Sequence, residues 1–157
     1  MNKELILNKA KTACFTGHRI LDNNFNNKEV KKVILEAINR GYDTFLLGLA
    51  LGFDTACFNV LEELKKQYNI SIIGCIPCPE QPINFTVEER EKYYKMVENC
   101  TETVILSEKY TKYCMQKRNR YMVDNSSLVI AYLKRDFGGT FFTVNYAKKK
   151  KIEINYI

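Results

Sequence analysis

The chain has 157 residues, a length suited to one domain, spanning 1–157, that buries a real core. Hydrophobic residues make up 46% and charged residues 27%, an ordinary globular composition, and no apolar run approaches the roughly 20 residues of a membrane helix. Lys and Arg number 24 against 18 Asp and Glu, a net charge of +6, which favours anionic ligands; the basic residues are scattered, which argues against a nucleic-acid partner.

In chain order, the opening stretch MNKELILNKAKTA carries no extended apolar segment and no cleavage site, so a cytoplasmic protein is expected. TACFTG (12–17) reads as a short buried strand. Val30, Val33, Ile34, Ala37 and Ile38 then recur at helical spacing up to Gly41, a C-cap candidate. DTFLLG (43–48) is a second strand, and Cys57, Val60, Leu61 and Leu64 mark a second helix whose N-cap is expected at Asp54. ISIIGCI (70–76) is a third strand, and TVEE (86–89) is a capping box that opens a third helix. TVILS (103–107), a helix over 114–124, SLVIAYL (127–133), a helix over 139–149 and IEINYI (152–157) complete the alternation. Six strands alternating with five helices, the strands mostly continuous apolar runs, predict a Rossmann-like α/β fold: a doubly wound, mainly parallel six-stranded sheet with helices on both faces.

Six cysteines in such a chain are expected to be reduced thiols. Cys75 and Cys78 have C-x-x-C spacing, but they end a strand and have no second ligand pair, so no metal or redox site is expected. Lys148–Lys151 reads as a solvated helix C-terminus that complements the helix dipole.

Ligands of doubly wound sheets bind beyond the C-terminal strand ends, and there this sequence gathers glycine and polar residues: TGHR (16–19), GLALGFD (48–54), PCPEQ (77–81), SEKY (107–110) and RDFGGT (135–140). The single histidine, His18, lies in the first of these. Gly48 and Gly52 bend a strand-to-helix turn whose free amides suit a phosphate, and Gly138 and Gly139 repeat the device. In CMQKRNRYMVD, Met115, Arg118, Asn119 and Met122 share one helical face. The two methionines read as core, whereas an inward guanidinium needs an anionic partner, which a ligand phosphate would supply.

Together, CFTGHR, GLALGFD, PCPEQ, SEKYTKYCMQKRNRYMVD and GGTFFTVNYAKKK resemble the YspA-like branch of the SLOG (SMF/DprA–LOG) superfamily, in order and over residues 12–157. The resemblance implies a pocket for a nucleotide or nucleotide-derived ligand, built from Gly17, His18 and Arg19; from Gly48, Ala50, Gly52 and Asp54; from Pro77 and Gln81; from Arg118 and Asn119; and from Gly138, Gly139 and Thr140. Four features depart from the branch: Leu49 replaces methionine, Glu80 replaces glycine, Phe85 replaces tryptophan, and the segment after Arg19 is shorter. The related Lonely Guy phosphoribohydrolases carry a catalytic glutamate where this chain has Thr143. Glycosidic cleavage needs a carboxylate, so the catalytic residues stay unassigned and binding is expected over nucleotide N-glycoside hydrolysis.

The resemblance thus implies a sensor or sequestering module for NAD-derived or cyclic nucleotide signals, as in bacterial or phage defence signalling. No cofactor and no membrane partner are expected, and homo-oligomerisation stays open. The third alternative, a DprA-like single-strand DNA binder, is disfavoured by the scattered charge and by the lack of an aromatic row in the sequence.

Overall fold

Because the strands are apolar at consecutive positions, each feeds two cores. In the computed structural model, which describes residues 5–157, β1 (Thr12–Gly17) sends Ala13 and Phe15 into one cluster and Cys14 into the other. β2 (Thr44–Leu47) divides in the same way, with Phe45 and Leu47 opposite Leu46, and so does β5 (Leu128–Tyr132), with Ile130 opposite Val129 and Ala131. β3 (Ser71–Ile76), β4 (Glu102–Ile105) and β6 (Glu153–Tyr156) complete a six-stranded sheet of order β4-β3-β2-β1-β5-β6. Every pairing in it is parallel. Residues 1–4, where the segment read as lacking an export signal begins, lie outside the described part of the chain.

Helices cover both faces. α1 (Asn27–Asn39), α2 (Phe53–Leu64) and α3 (Val87–Asn99) pack on the Phe15 side through Val30, Ile34, Leu61, Tyr93 and Met96. α4 (Cys114–Asp124) and α5 (Gly139–Lys149) pack on the Cys14 side through Met122, Val123, Val144 and Ala147. The chain therefore winds outward from β1 to β4, returns along the opposite face through α4, and continues from β5 to β6. The direction reverses between β1 and β5, where a crevice opens in doubly wound sheets.

Local signals fix the element ends. The Thr86 hydroxyl accepts from the Glu89 amide (3.1 Å) and the Glu89 carboxylate accepts from the Thr86 amide (2.9 Å), which is the expected capping box. Asp54 is not the N-cap of α2: Gly52 holds that place, and Asp54 lies inside the first turn. Lys148 and Lys149 occupy the last turn of α5 as expected, at the sheet edge away from the crevice. A 3₁₀ turn at Lys9–Lys11, capped by the Asn8 side chain, has no periodic signal and was not anticipated. All six cysteines are free thiols. Among the described residues no helix is long and apolar enough to cross a membrane.

Candidate functional site

A cleft of about 370 Å³ occupies the crevice between the β1 and β5 loops. Its walls carry Gly17, His18 and Arg19 from the first strand end, Ala50 and Asp54 from the second, Arg118 and Asn119 from α4, and Gly139 and Thr140 from α5. Nine of the residues expected at the site thus meet in one place.

The start of α2 is closed by the chain itself. The Phe53 amide donates to the His18 carbonyl (3.1 Å), and the Ala50 amide donates to Asp54 Oδ2 (3.1 Å). Gly52 has φ +79° and lies against the Arg19 carbonyl so closely that a Cβ would overlap it. The glycines of GLALGFD therefore serve close packing, and the phosphate cradle expected at this turn is already filled by carbonyl and carboxylate oxygens.

Arg118 explains the rest of that turn. Its side chain is buried, and Nη1 donates to the carbonyls of Gly48 (2.7 Å) and Cys75 (3.1 Å) while Nε donates to Asn119 Oδ1 (2.8 Å). Gly48 must lack a side chain because a Cβ would overlap the guanidinium. The expected need for an external anion is therefore met from within: two carbonyls and the nearby Asp54 charge partner the arginine. Burial pushes the Asp54 carboxyl up to about 6, against the opposing pull of Arg118.

His18 is likewise part scaffold. Its Nε2 accepts from the Lys134 amide (2.9 Å), which joins the β1 and β5 loops, and its ring meets Tyr132 edge-on at 5.8 Å. An accepting Nε2 leaves the proton on Nδ1. Burial, then the Arg135 and Lys134 charges, hold its pKa below the usual histidine value, so at neutral pH the ring is a neutral Nδ1–H donor.

The α5 side is open. Gly138, with φ +93°, is an N-cap without a side-chain cap, and no atom lies within 4 Å of a Cβ built on Gly138 or Gly139. The first amides of a helix have no intrahelical acceptor and carry partial positive charge. Exposed Arg19 and Arg135 stand on the same cleft. Thr16, Ile20 and Arg135 also line the cleft; Thr16 and Arg135 belong to the stretches TGHR and RDFGGT expected at this edge but are not among the expected site residues, because position in a loop does not say which side chains turn toward the cavity.

Other expected residues fall outside this cleft. Pro77 is buried at the end of β3, and Gly138 stands exposed beside the cleft. Gln81 lines a second cavity of about 630 Å³, which adjoins the first at Arg19 and Met115. Met122 is core as expected, but Met115 is half-buried and lines both cavities. Thr143, at the position of the absent glutamate, is fully buried and bonds back to the Gly139 carbonyl (2.8 Å). Exposed aromatic rings stand in two separate loops at the C-terminal strand ends: Tyr110 and Tyr113 after β4, and Phe137 after β5. Lys112 stands over Tyr113 (5.5 Å) and Arg135 over Phe137 (5.0 Å).

The chain is 33% identical over 121 residues to the uncharacterized SPbeta prophage-derived protein YoqJ of Bacillus subtilis (strain 168), covering 67% of this chain and 69% of that protein. Its fold is similar to DNA processing protein A (DprA) of Streptococcus pneumoniae, with a TM-score of 0.67 and 19% identity over 94% of this chain and 50% of the other. It is also similar to DNA processing protein A of Helicobacter pylori, described for its single-stranded DNA binding mode, with a TM-score of 0.69 and 18% identity over 94% of this chain and 65% of the other. The chain thus spans between half and about two thirds of the DprA chains that it matches. The expectation against a nucleic-acid partner does not stand: the fold's neighbours are DNA processing proteins, one of which binds single-stranded DNA. The model of the YspA SLOG family matches residues 15–157, and the chain belongs to that family.

Proposed function

We propose that residues 1–157 act as one domain that binds a nucleotide or nucleotide-derived ligand in the cleft between the β1 and β5 loops, with the phosphate at the start of α5. The observation that carries this reading is the convergence of uncommitted donors. Gly139 and Thr140 at the open start of α5, His18 with its Nδ1–H, and the exposed Arg19 and Arg135 line one cavity. Guanidinium and helix-start amides are the groups that pair with phosphate. The positive charge of Arg118 is partnered inside the protein, so its role toward the ligand is to hold the Gly48 turn and to orient Asn119, whose Oδ1 it binds.

Binding is favoured over turnover. The carboxylate on this cleft, Asp54, is engaged by the Ala50 amide, and Thr143 lies in the core. A protein that holds a nucleotide without cleaving it can sense or sequester NAD-derived or cyclic nucleotide signals. The test is calorimetric titration of the purified protein with mononucleotides and ribose 5-phosphate, beside mass spectrometry of small molecules released on heat denaturation. Saturable binding that is lost in an Arg19→Ala/Arg135→Ala double variant supports the reading; binding that survives it overturns the assignment.

A second reading, single-stranded DNA along the same edge, is favoured by the exposed rings of Tyr110, Tyr113 and Phe137 with their neighbouring cations. Rings that stack on bases beside a basic groove are the usual platform for single strands. Salt-dependent binding of a labelled oligonucleotide, weakened by Tyr113→Ala and Phe137→Ala, supports it; the absence of such binding at low salt refutes it.

A further inference from the structure

We infer that His18 is a positioning residue: its ring clamps the loop before α5, and with it Arg135, in place for the ligand, and a proton on the ring releases that loop. This rests on the phosphate reading of the cleft and adds to it how the site is held and how acid opens it.

The loop of residues 134–139 is exposed throughout. It turns into α5 on Gly138 at φ +93°, with no atom within 4 Å of a Cβ built on Gly138 or Gly139. Arg135 stands over Phe137 of the same loop, Lys134 over the preceding Tyr132, and the Gly138 and Gly139 carbonyls serve the first turn of α5. Among the described residues, one hydrogen bond ties the loop to another element: the Lys134 amide donates to His18 Nε2 (2.9 Å). An exposed segment with few bonds opens readily, so this tether carries much of its order.

The anchor itself is fixed. His18 is buried, its carbonyl accepts from the Phe53 amide (3.1 Å), and its ring meets Tyr132 edge-on. Tyr132 in turn stacks on Phe53 (5.7 Å), and its hydroxyl accepts from the Asp22 amide (3.0 Å).

A neutral ring with its proton on Nδ1 accepts at Nε2, whereas a protonated ring donates from both nitrogens. Nε2–H then faces the Lys134 N–H, donor against donor. Lys134 and Arg135 on the loop repel the new charge, and Arg19, next along the chain, adds a third cation to the cleft. Asp54 from α2 and Arg118 from α4 line the same cleft and offset each other, and the α5 residues there, Gly139 and Thr140, are uncharged. Burial and the loop cations hold the His18 pKa below 6.5, so the clamp is closed at neutral pH and lets go in acid. Glutamine at this position keeps an acceptor at a similar reach and does not titrate.

The experiment follows amide hydrogen exchange at Lys134 by NMR between about pH 5 and 8, on the full chain without ligand, for the parent, His18→Ala and His18→Gln. Protection in the parent should fade as the pH drops below 6.5, in step with titration of the ring nitrogens. It should be absent in His18→Ala at every pH and present in His18→Gln at every pH. Protection indifferent to His18 overturns the inference. So does a pH slope that persists in His18→Gln, which would belong to Asp54. Calorimetric titration with AMP and ribose 5-phosphate at neutral pH reads the effect on the site. His18→Ala should weaken binding about 5-fold, Arg135→Ala should cost less in that background than in the parent, and His18→Gln should restore most of the affinity. Fully additive losses from His18→Ala and Arg135→Ala overturn the positioning role. If the exchange behaves as expected and neither ligand binds, the clamp stands and the phosphate reading falls; if the ligands bind while Lys134 ignores His18, the reverse holds. Should the variants fail to fold, the parent decides alone, by whether Lys134 protection is lost as the ring nitrogens titrate.

Discussion

Replacing Arg118 with alanine removes three hydrogen bonds at once, to the Gly48 and Cys75 carbonyls and to Asn119, and leaves Asp54 buried without its nearby positive charge. The Gly48 carbonyl keeps its bond from Gln81, so the turn is weakened and not orphaned. Breaking a buried ionic arrangement from one side costs about 3–5 kcal/mol, which includes the uncompensated charge left behind. In a domain of this size each kcal/mol moves the midpoint by about 2–4 °C, so the variant should melt about 6–20 °C below the parent. The loss should be larger at pH 8 than at pH 5, because the stranded Asp54 carboxyl can take a proton at the lower pH. Thermal melts followed by circular dichroism, without added ligand and at both pH values, measure this. An Arg118→Ala protein that melts within about 2 °C of the parent at pH 8 would show that the guanidinium serves a ligand and not the fold, and the reasoning here would fail.

Four further outcomes are expected. Gly52→Ala places a Cβ against the Arg19 carbonyl at a positive φ and should cost more than about 2 kcal/mol in chemical denaturation, whereas Gly139→Ala, which meets open space, should stay within about 0.5 kcal/mol. Comparable losses in the two variants would contradict the closed and open readings of the two helix starts. The Asp54 carboxyl is raised in the folded chain from 3.8 to about 6, so the native state holds more protons than the unfolded state between these values. Stability should therefore fall as pH rises through that window, by up to about 3 kcal/mol, and Asp54→Asn should flatten this slope; denaturant titrations at pH 4 and pH 7 check it. Arg19→Ala and Arg135→Ala should each leave the melt of the free protein unchanged and weaken a phosphate-bearing ligand about 10-fold; a large fall in melting temperature would make them structural. Glu80→Ala should lower the pKa of the Cys78 thiol, which burial first and the Glu80 side chain second hold at about 11, and an unchanged pH dependence of alkylation at Cys78 would contradict that assignment.

The order of strands and helices was legible because it is written locally. Runs of apolar residues, a 3.6-residue spacing and a Thr–Glu capping box need no distant partner to be read, and their alternation left a doubly wound sheet as the simple topology. The edge that gathers Gly17, His18, Gly139 and Thr140 was legible for the same reason: each residue follows a strand, and the topology puts all strand ends together. The family resemblance rested on those same stretches. Which groups at that edge are free was not legible. A glycine that admits a ligand and one that admits a guanidinium look alike in a sequence, and only the fold brings Arg118 from α4 against Gly48, Asp54 against the Ala50 amide, and the Arg19 carbonyl against Gly52. That Tyr113, before α4, and Phe137, after β5, stay exposed was not legible either, because exposure depends on what the rest of the chain packs against them. Sequence determined which chemical groups arrive at the cleft, since secondary structure is set by neighbours along the chain. Tertiary structure decided which of them remain available, since hydrogen-bond partners of buried groups are drawn from distant parts of the chain.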